Sequence, residues 1–303
     1  MQQQAGLNKR YGLPTVLLAY TMWGILPLYW KMLDAVPSYE IICHRILWSF
    51  LFSLALLGLR RKINPFIKNL RDRRTVITFL ATASLLGCNW LVYIWSVNND
   101  YIIESSLGYF INPLIAVFFG VVFLREPLRP GQWAALSVAL AGVLYLTFSY
   151  GRFPWIGLTL AVTFALYSLL RKTAPLRSLD GLTFETGLLT LPATATLFYL
   201  AWHGRSHLFT LAPGYTWLLL GAGPITALPL LCFVFGAQRI SMTAVGLMQY
   251  LAPTLQFLIG LLLFHEPFPR EKLIGFTLVW LALALYVSEN VYRRVRQQKR
   301  IMG

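Results

Sequence analysis

Residues Glu104–Pro127 read ESSLGYFINPLIAVFFGVVFLREP, and 140 positions later residues Ala244–Pro267 read AVGLMQYLAPTLQFLIGLLLFHEP. Leu107, Pro113, Gly120, Glu126 and Pro127 of the first stretch return without a gap as Leu247, Pro253, Gly260, Glu266 and Pro267. Each stretch is apolar and, at about 1.5 Å per residue, long enough to cross a bilayer as a helix. Each carries a proline near its midpoint and ends on Glu-Pro. The pattern is that of a duplicated membrane half.

A proline inside a helix has no N–H to donate and pushes away the carbonyl four residues earlier, here those of Tyr109 and Gln249. In hydrocarbon an unpaired carbonyl costs several kcal/mol, so a break at mid-membrane is expected where protein, water or a bound solute supplies a partner. Pro113 and Pro253 are therefore expected to break their helices at matching depth, beside a polar site at the junction of the repeats. A kink that serves packing alone is the competing reading.

Composition agrees with a membrane setting. The 303 residues are 57% hydrophobic and 12% charged, whereas a soluble domain carries about twice that charged fraction. The net charge of +15 does not indicate nucleic acid, because the basic residues fall between apolar runs and form no stripe. Cys43, Cys88 and Cys232 are odd in number, lie in apolar runs and lack ligand spacing, so neither a disulfide framework nor a metal site is expected. His203 and His207 stand four apart but have no third ligand. No phosphate loop, metalloprotease motif or nucleophile triad is present, so no cofactor and no enzymatic role are expected. Lys9 and Arg10 precede an apolar run that continues through Trp23 and Trp30 with no small-residue cleavage site, which marks a retained first span.

Apolar runs of about 18–25 residues define ten expected spans. They are Leu13 to Leu33, Tyr39 to Leu59, Thr75 to Val97, Glu104 to Leu124, Gln132 to Ser149, Pro154 to Leu170, Leu182 to Trp202, Tyr215 to Gln238, Thr243 to Phe264 and Lys272 to Asn290. Threading them through a bilayer puts 20 lysines and arginines on the side of both termini and five on the other, with Arg45 left inside a span. The excess of positive charge makes that side cytoplasmic. Five spans per repeat is an odd number, so the two repeats, 1–150 and 151–303, must enter the membrane from opposite sides. The expected fold is all-α: ten transmembrane helices as two inverted five-helix repeats.

Several strings carry a resemblance. HRILWSF from His44, CNWLVYIWSVNN from Cys88, ESSLGYFINPL from Glu104 and LPLLCF from Leu228, together with Glu-Pro closing the fourth and ninth spans, resemble the RarD family of EamA-domain proteins. That family belongs to the drug/metabolite transporter superfamily and is named for an association with chloramphenicol sensitivity. The resemblance covers nearly the whole chain and implies a permease of the bacterial inner membrane without naming its solute.

Arg45 is the most unusual residue, a charge four or five positions into the second span. Snorkelling to the interface competes with a role in recognising an anionic or carbonyl group, with Glu40 or Glu104 as resting partner. His44, four residues from Glu40, is a candidate for proton coupling or for a structural pair. Glu40, Glu104 and Glu185 are expected in first helical turns, where acids complement the helix dipole. Glu126 and Glu266 oppose that dipole at C-terminal ends and are expected as structural anchors needing a cation, such as Arg129 or Arg270. Asn89, Trp90 and Tyr93 share a helix turn, as do Tyr109 and Asn112, and Gln249, Tyr250 and Gln256 follow in the ninth span. With Tyr20 and Trp23 they could line a pocket for a small solute, or else bond helix to helix.

The expected function is secondary, non-ATP-driven export of a small metabolite or amphiphilic solute by alternating access. The expected partners are that solute and the lipid bilayer, the expected state a monomer with a homodimer as the alternative. A lipid-handling protein or an intramembrane enzyme is the competing class.

Overall fold

The computed structural model describes residues 11–61, 63, 67, 71–98, 101–151, 153–263 and most positions between 273 and 289. All regular structure among them is helical: α1 (Gly12–Lys31), α2 (Ser38–Leu59), α3 (Arg73–Asn98), α4 (Ile102–Leu124), α5 (Pro130–Tyr150), α6 (Trp155–Thr173), α7 (Ser178–Trp202), α8 (Pro213–Ala237), α9 (Met242–Gln249), α10 (Leu251–Leu262) and, in part, α11 (Leu273–Tyr286). Leucine and phenylalanine side chains such as Leu51, Phe118, Phe123 and Phe198 are exposed on the outer faces, as a hydrocarbon surround requires.

Six of the described helices, α1, α2, α3, α4, α5 and α8, are long and apolar enough to cross a membrane. The other expected spans fall short for local reasons. Arg171 and Lys172 end α6, α7 carries Asp180 and Glu185, and the ninth span is divided into α9 and α10 at Tyr250.

The starts of α2 and α7, of α3 and α8, and of α4 and α9 are each 140 residues apart. Packing between the halves is reciprocal. Helix α1 packs on α8 while α6 packs on α3; α4 packs on α6 while α10 packs on α1; and α2 meets α7 as α4 meets α9.

The two expected breaks differ. Helix α4 runs through Pro113 without interruption, so Pro113 does not break its helix. The second does break, three residues before Pro253, which then lies in the first turn of α10 where its missing N–H is harmless. At their crossing a Cβ on Gly246 would stand 2.8 Å from the Pro113 carbonyl oxygen, so only glycine lets α9 approach α4 there. The Tyr250 hydroxyl donates to the carbonyl of Phe110, its counterpart 140 positions earlier, at 3.2 Å.

The Glu-Pro motif has a mechanical role. Arg125, at φ 52°, ends α4 in the left-handed conformation, and the Glu126 N–H returns to the Gly120 carbonyl at 3.0 Å. The Glu126 carboxylate then accepts from the N–H groups of Met242 and Thr243 at 2.6 and 3.0 Å and from the Thr243 hydroxyl at 2.9 Å. It opposes the dipole of its own helix but sits at the positive end of α9. That helix end, together with the nearby ammonium of Lys172, takes the place of the expected Arg129. A Cβ on Gly120 would lie 2.9 Å from both Glu126 Oε2 and Met242 Cβ, which explains why glycine stands in this motif. Glu126→Ala is expected to destabilise the protein by about 2 kcal/mol, read as thermal unfolding in detergent. The matching anchor, Glu266, lies outside the described residues, as do Pro267 and Arg270.

Candidate functional site

A cavity of about 190 Å³ opens between the two halves. Its wall is assembled from short segments of several helices: Trp23 to Trp30 of α1, Arg45 of α2, Leu86 to Tyr93 of α3, Ser105 to Asn112 of α4, Thr226 and Leu230 of α8, and Gln249 to Gln256 across the α9–α10 break. The two prolines stand near it, Pro253 in the wall and Pro113 next to Asn112.

Arg45 is half-buried. Helices surround it, yet solvent reaches it through the cavity. Its Nε donates to the Thr226 hydroxyl at 3.1 Å. Its guanidinium lies 4.6 Å from the Trp30 ring centroid and 5.2 Å from that of Trp90. The two indoles hold the cation by their π-faces and leave its remaining N–H groups toward the cavity. Neither Trp30 nor Thr226 is singled out by the sequence, because nothing local sets them apart from other membrane tryptophans and threonines.

Glu40 is not the partner of Arg45. It is fully buried and committed to the loop after α7, accepting from the His207 N–H at 2.7 Å, from the Ser206 hydroxyl at 3.2 Å, and facing His207 Nδ1 at 2.6 Å. Of the two histidines spaced four apart, His207 belongs to this clamp, while His203 turns back to the Tyr199 carbonyl at 2.9 Å. Among the described residues no ion pair joins Arg45 to a carboxylate. The side chain of Glu104 lies outside the described residues. Glu40→Ala is expected to release this loop, raising amide exchange over 203–212 by about thirtyfold or more, since two or three bonds to a buried charge are lost together.

Ten of the twelve residues expected at a site face this cavity: Tyr20, Trp23, Arg45, Asn89, Trp90, Tyr93, Tyr109, Asn112, Gln249 and Gln256. Two do not. His44 is buried against α2 itself, where its Nδ1 accepts from the Trp48 indole at 3.2 Å and Glu40 stands 3.8 Å from Nε2. Tyr250 points to the α4 crossing instead.

The polar members fall into two groups. Asn89 gives its amide to the Leu160 carbonyl and the Thr163 hydroxyl, both at 2.9 Å. Gln256 donates to the Trp23 carbonyl at 3.2 Å, and Tyr20 to the Val245 carbonyl at 3.3 Å. These three tie the wall together. Asn112 is different: its Oδ1 is buried and has no hydrogen-bond partner among the described residues. Beside it the Tyr93 and Tyr109 rings meet edge-on at 6.2 Å between centroids.

Below Arg45 the cavity is floored by rings. Tyr20, Trp23 and Phe164 line it and pack with the fully buried Phe233 behind them, neighbouring rings 5.5–5.9 Å apart, centroid to centroid. Beneath them lies a charged pair that sequence reasoning missed. Arg171 and Glu185 are both fully buried, with Nε and Oε1 3.4 Å apart. The Tyr167 hydroxyl donates to Glu185 at 3.4 Å, Arg171 donates to the Ser178 carbonyl at 3.3 Å, and its guanidinium lies 5.0 Å from the Phe79 centroid. Helix α7 begins at Ser178, not at Leu182, so Glu185 is two turns inside the helix and not in its first turn. With Ser178 matching Ser38, the counterpart of Glu40 is Asp180, and Glu185 takes the place that Arg45 holds in the first half. Arg171 reads from sequence as one more positive end-of-helix charge; only packing shows that it turns inward.

Comparison with known proteins agrees with this architecture. The model of the EamA-like transporter family matches residues 10–148 and again 154–288. Protein RarD of Streptomyces exfoliatus is 41% identical over 99% of this chain and 93% of its own. The uncharacterized transporter YojE of Bacillus subtilis (strain 168) is 42% identical over 90% of this chain and 92% of its own. A protein of known crystal structure, at 19% identity, superposes with a TM-score of 0.68 over 94% of this chain and 98% of that one, which shows a shared fold. The duplicated stretch, the helical architecture and these full-length likenesses lead to one conclusion: the chain belongs to the EamA-like transporter family and is a membrane protein.

Proposed function

We propose that this protein is a secondary transporter that exports a small solute across the bacterial inner membrane, its two halves inverted and rocking about the crossing of α4 with α9. The reciprocal packing of the halves supports the inversion, because contacts that survive exchange of the halves are those of a two-fold axis. With an odd number of spans in each half, ten in all, that axis lies in the membrane plane. The excess of Lys and Arg then puts both termini in the cytoplasm. On that orientation the cavity occupies the outer half of the bundle, and the ring floor and the Arg171–Glu185 pair close its inner half.

The observation that carries this reading is Arg45, a guanidinium framed by Trp30 and Trp90 in a cavity whose described wall contains no carboxylate. Such a cavity suits a solute with a carboxylate, phosphate or polarised carbonyl at one end and an apolar or aromatic body at the other. A simple cationic amine would meet an unopposed positive charge. The unpaired Asn112 Oδ1 asks in addition for a donor on the solute.

Counterflow in proteoliposomes tests this. Saturable exchange of a labelled aromatic carboxylate or of chloramphenicol, each tried as substrate, with simple amines excluded, is the expected result. Exchange of labelled phospholipid between leaflets without solute counterflow would overturn the reading in favour of a lipid-handling protein. Replacing Asn112 with alanine is expected to raise the half-saturating concentration about tenfold, since one hydrogen bond to a buried group is lost, with expression unchanged.

A further inference from the structure

Away from the central cavity, a second pocket of about 150 Å³ lies where α2, α7 and α8 end or begin side by side. Three arginines line it: Arg60, directly after α2; Arg177, directly before α7; and Arg239, in the link after α8. Asp180 also lines it, so one carboxylate faces three guanidinium groups, and no ion pair joins them among the described residues. Arg239 lies over the Phe235 ring, 3.5 Å from its centroid, and spends one Nη1 bond on the Phe235 carbonyl at 2.5 Å. Its Nε is buried without a hydrogen-bond partner among the described residues. Burial and the adjacent charge of Arg177 both push the Arg239 guanidinium below its usual pKa. Like charges gathered at a partly dry site repel one another unless an anion joins them.

The same place offers two further features. Helix α7 starts there with no side chain capping it, so the positive end of its dipole adds to the three cations. Leu179 and Phe235 supply an apolar part of the same lining, with Arg239 lying over the Phe235 ring. Charge beside hydrocarbon is the profile of a phospholipid at the headgroup level, where arginines at helix ends meet anionic lipid.

We propose that this pocket binds a phosphate-type oxyanion, carried by the headgroup of an anionic phospholipid or free in solution. Bound there, it joins the end of α2 from the first half to α7 and α8 from the second. Gln238, which lines the same pocket, donates its amide to the carbonyls of Arg171 and Leu176 at 3.2 Å, so the ligand would rest against the wall that holds the buried Arg171–Glu185 pair. The site is separate from the central cavity and does not depend on which solute that cavity takes.

The thermal unfolding of the full chain in detergent, followed as phosphatidylglycerol, phosphatidylcholine or inorganic phosphate is added, tests the proposal. Phosphatidylglycerol is expected to raise the midpoint and phosphatidylcholine to leave it unmoved. Arg177→Gln and Arg239→Gln are each expected to weaken the apparent affinity about fivefold. Arg60→Gln, at an exposed helix end, carries the same expectation with less risk to folding. A shift produced by phosphate alone identifies the free anion as the ligand, and a shift seen only with phosphatidylglycerol identifies the headgroup; both uphold the site. Equal stabilisation by phosphatidylcholine, no shift with any of the three, or full phosphatidylglycerol affinity in folded variants would overturn it.

Discussion

Replacing Arg45 with alanine is expected to abolish measurable counterflow of an anionic solute while leaving the protein folded. Arg45 has no carboxylate partner among the described residues, so its removal orphans no described acid; it frees the Thr226 hydroxyl and the faces of Trp30 and Trp90 and takes the charge away from the Tyr93 and Tyr109 phenols. What it removes is the positive charge lining the described wall of the cavity. A charge-assisted hydrogen bond contributes about 1.5–3 kcal/mol, which is about a 10–150-fold loss of affinity for each bond made to the solute. Arg45→Lys keeps the charge but loses the planar fork and its stacking between two indoles, so it should recover only part of the flux. If Arg45→Ala exchanges anionic solutes at the wild-type rate, the recognition element lies elsewhere in the wall.

The second large effect concerns stability. Breaking the Arg171–Glu185 pair from one side leaves an uncompensated charge among fully buried side chains, which costs about 3–5 kcal/mol. Glu185→Ala and Arg171→Met are therefore each expected to lower the unfolding midpoint sharply. The double variant Arg171→Met/Glu185→Leu is expected to regain most of the loss, because replacing a buried pair by apolar groups of similar volume is often close to neutral. The geometry favours that outcome: among the described residues Arg171 Nε and Nη1 and Glu185 Oε1 make no hydrogen bond, so the pair is held by charge at 3.4 Å with its bonding capacity partly unused.

Transport by the double variant then separates two roles. Glu185 holds in the second half the position that Arg45 holds in the first, and in an inverted-repeat carrier the region around it would have to open when the cavity around Arg45 closes. A double variant that is stable but no longer exchanges solute would make the pair part of that cycle. One that is stable and exchanges normally would make it a packing device alone.

Much of this architecture is legible in the chain itself. The 140-residue recurrence of Leu-Pro-Gly-Glu-Pro and the apolar runs are properties of order along the chain, and bilayer thickness with backbone hydrogen bonding turns them into helices. Arg45 is visible for the same reason: a charge within an apolar run must have a purpose. So are Asn112 and Tyr109, polar groups beside a proline.

Partnerships are not legible, because they join residues far apart in sequence. Glu40 might as readily have served Arg45 as His207, and only folding places the loop after α7 against it. Glu126 meets the start of α9 and the ammonium of Lys172, in place of the expected Arg129, because a left-handed turn at Arg125 carries it toward residues 46 and 116 positions away. Two prolines alike in sequence behave differently, since α4 continues through Pro113 while the second helix parts at Tyr250. By itself, then, the sequence determined a duplicated, helical membrane chain and most of the polar side chains of one cavity, because apolar runs and the polar residues that interrupt them are written along the backbone. Tertiary packing alone decided which charges pair, which carbonyls a glycine admits and which side chains meet around the cavity, because those outcomes depend on distances between helices that no local pattern encodes.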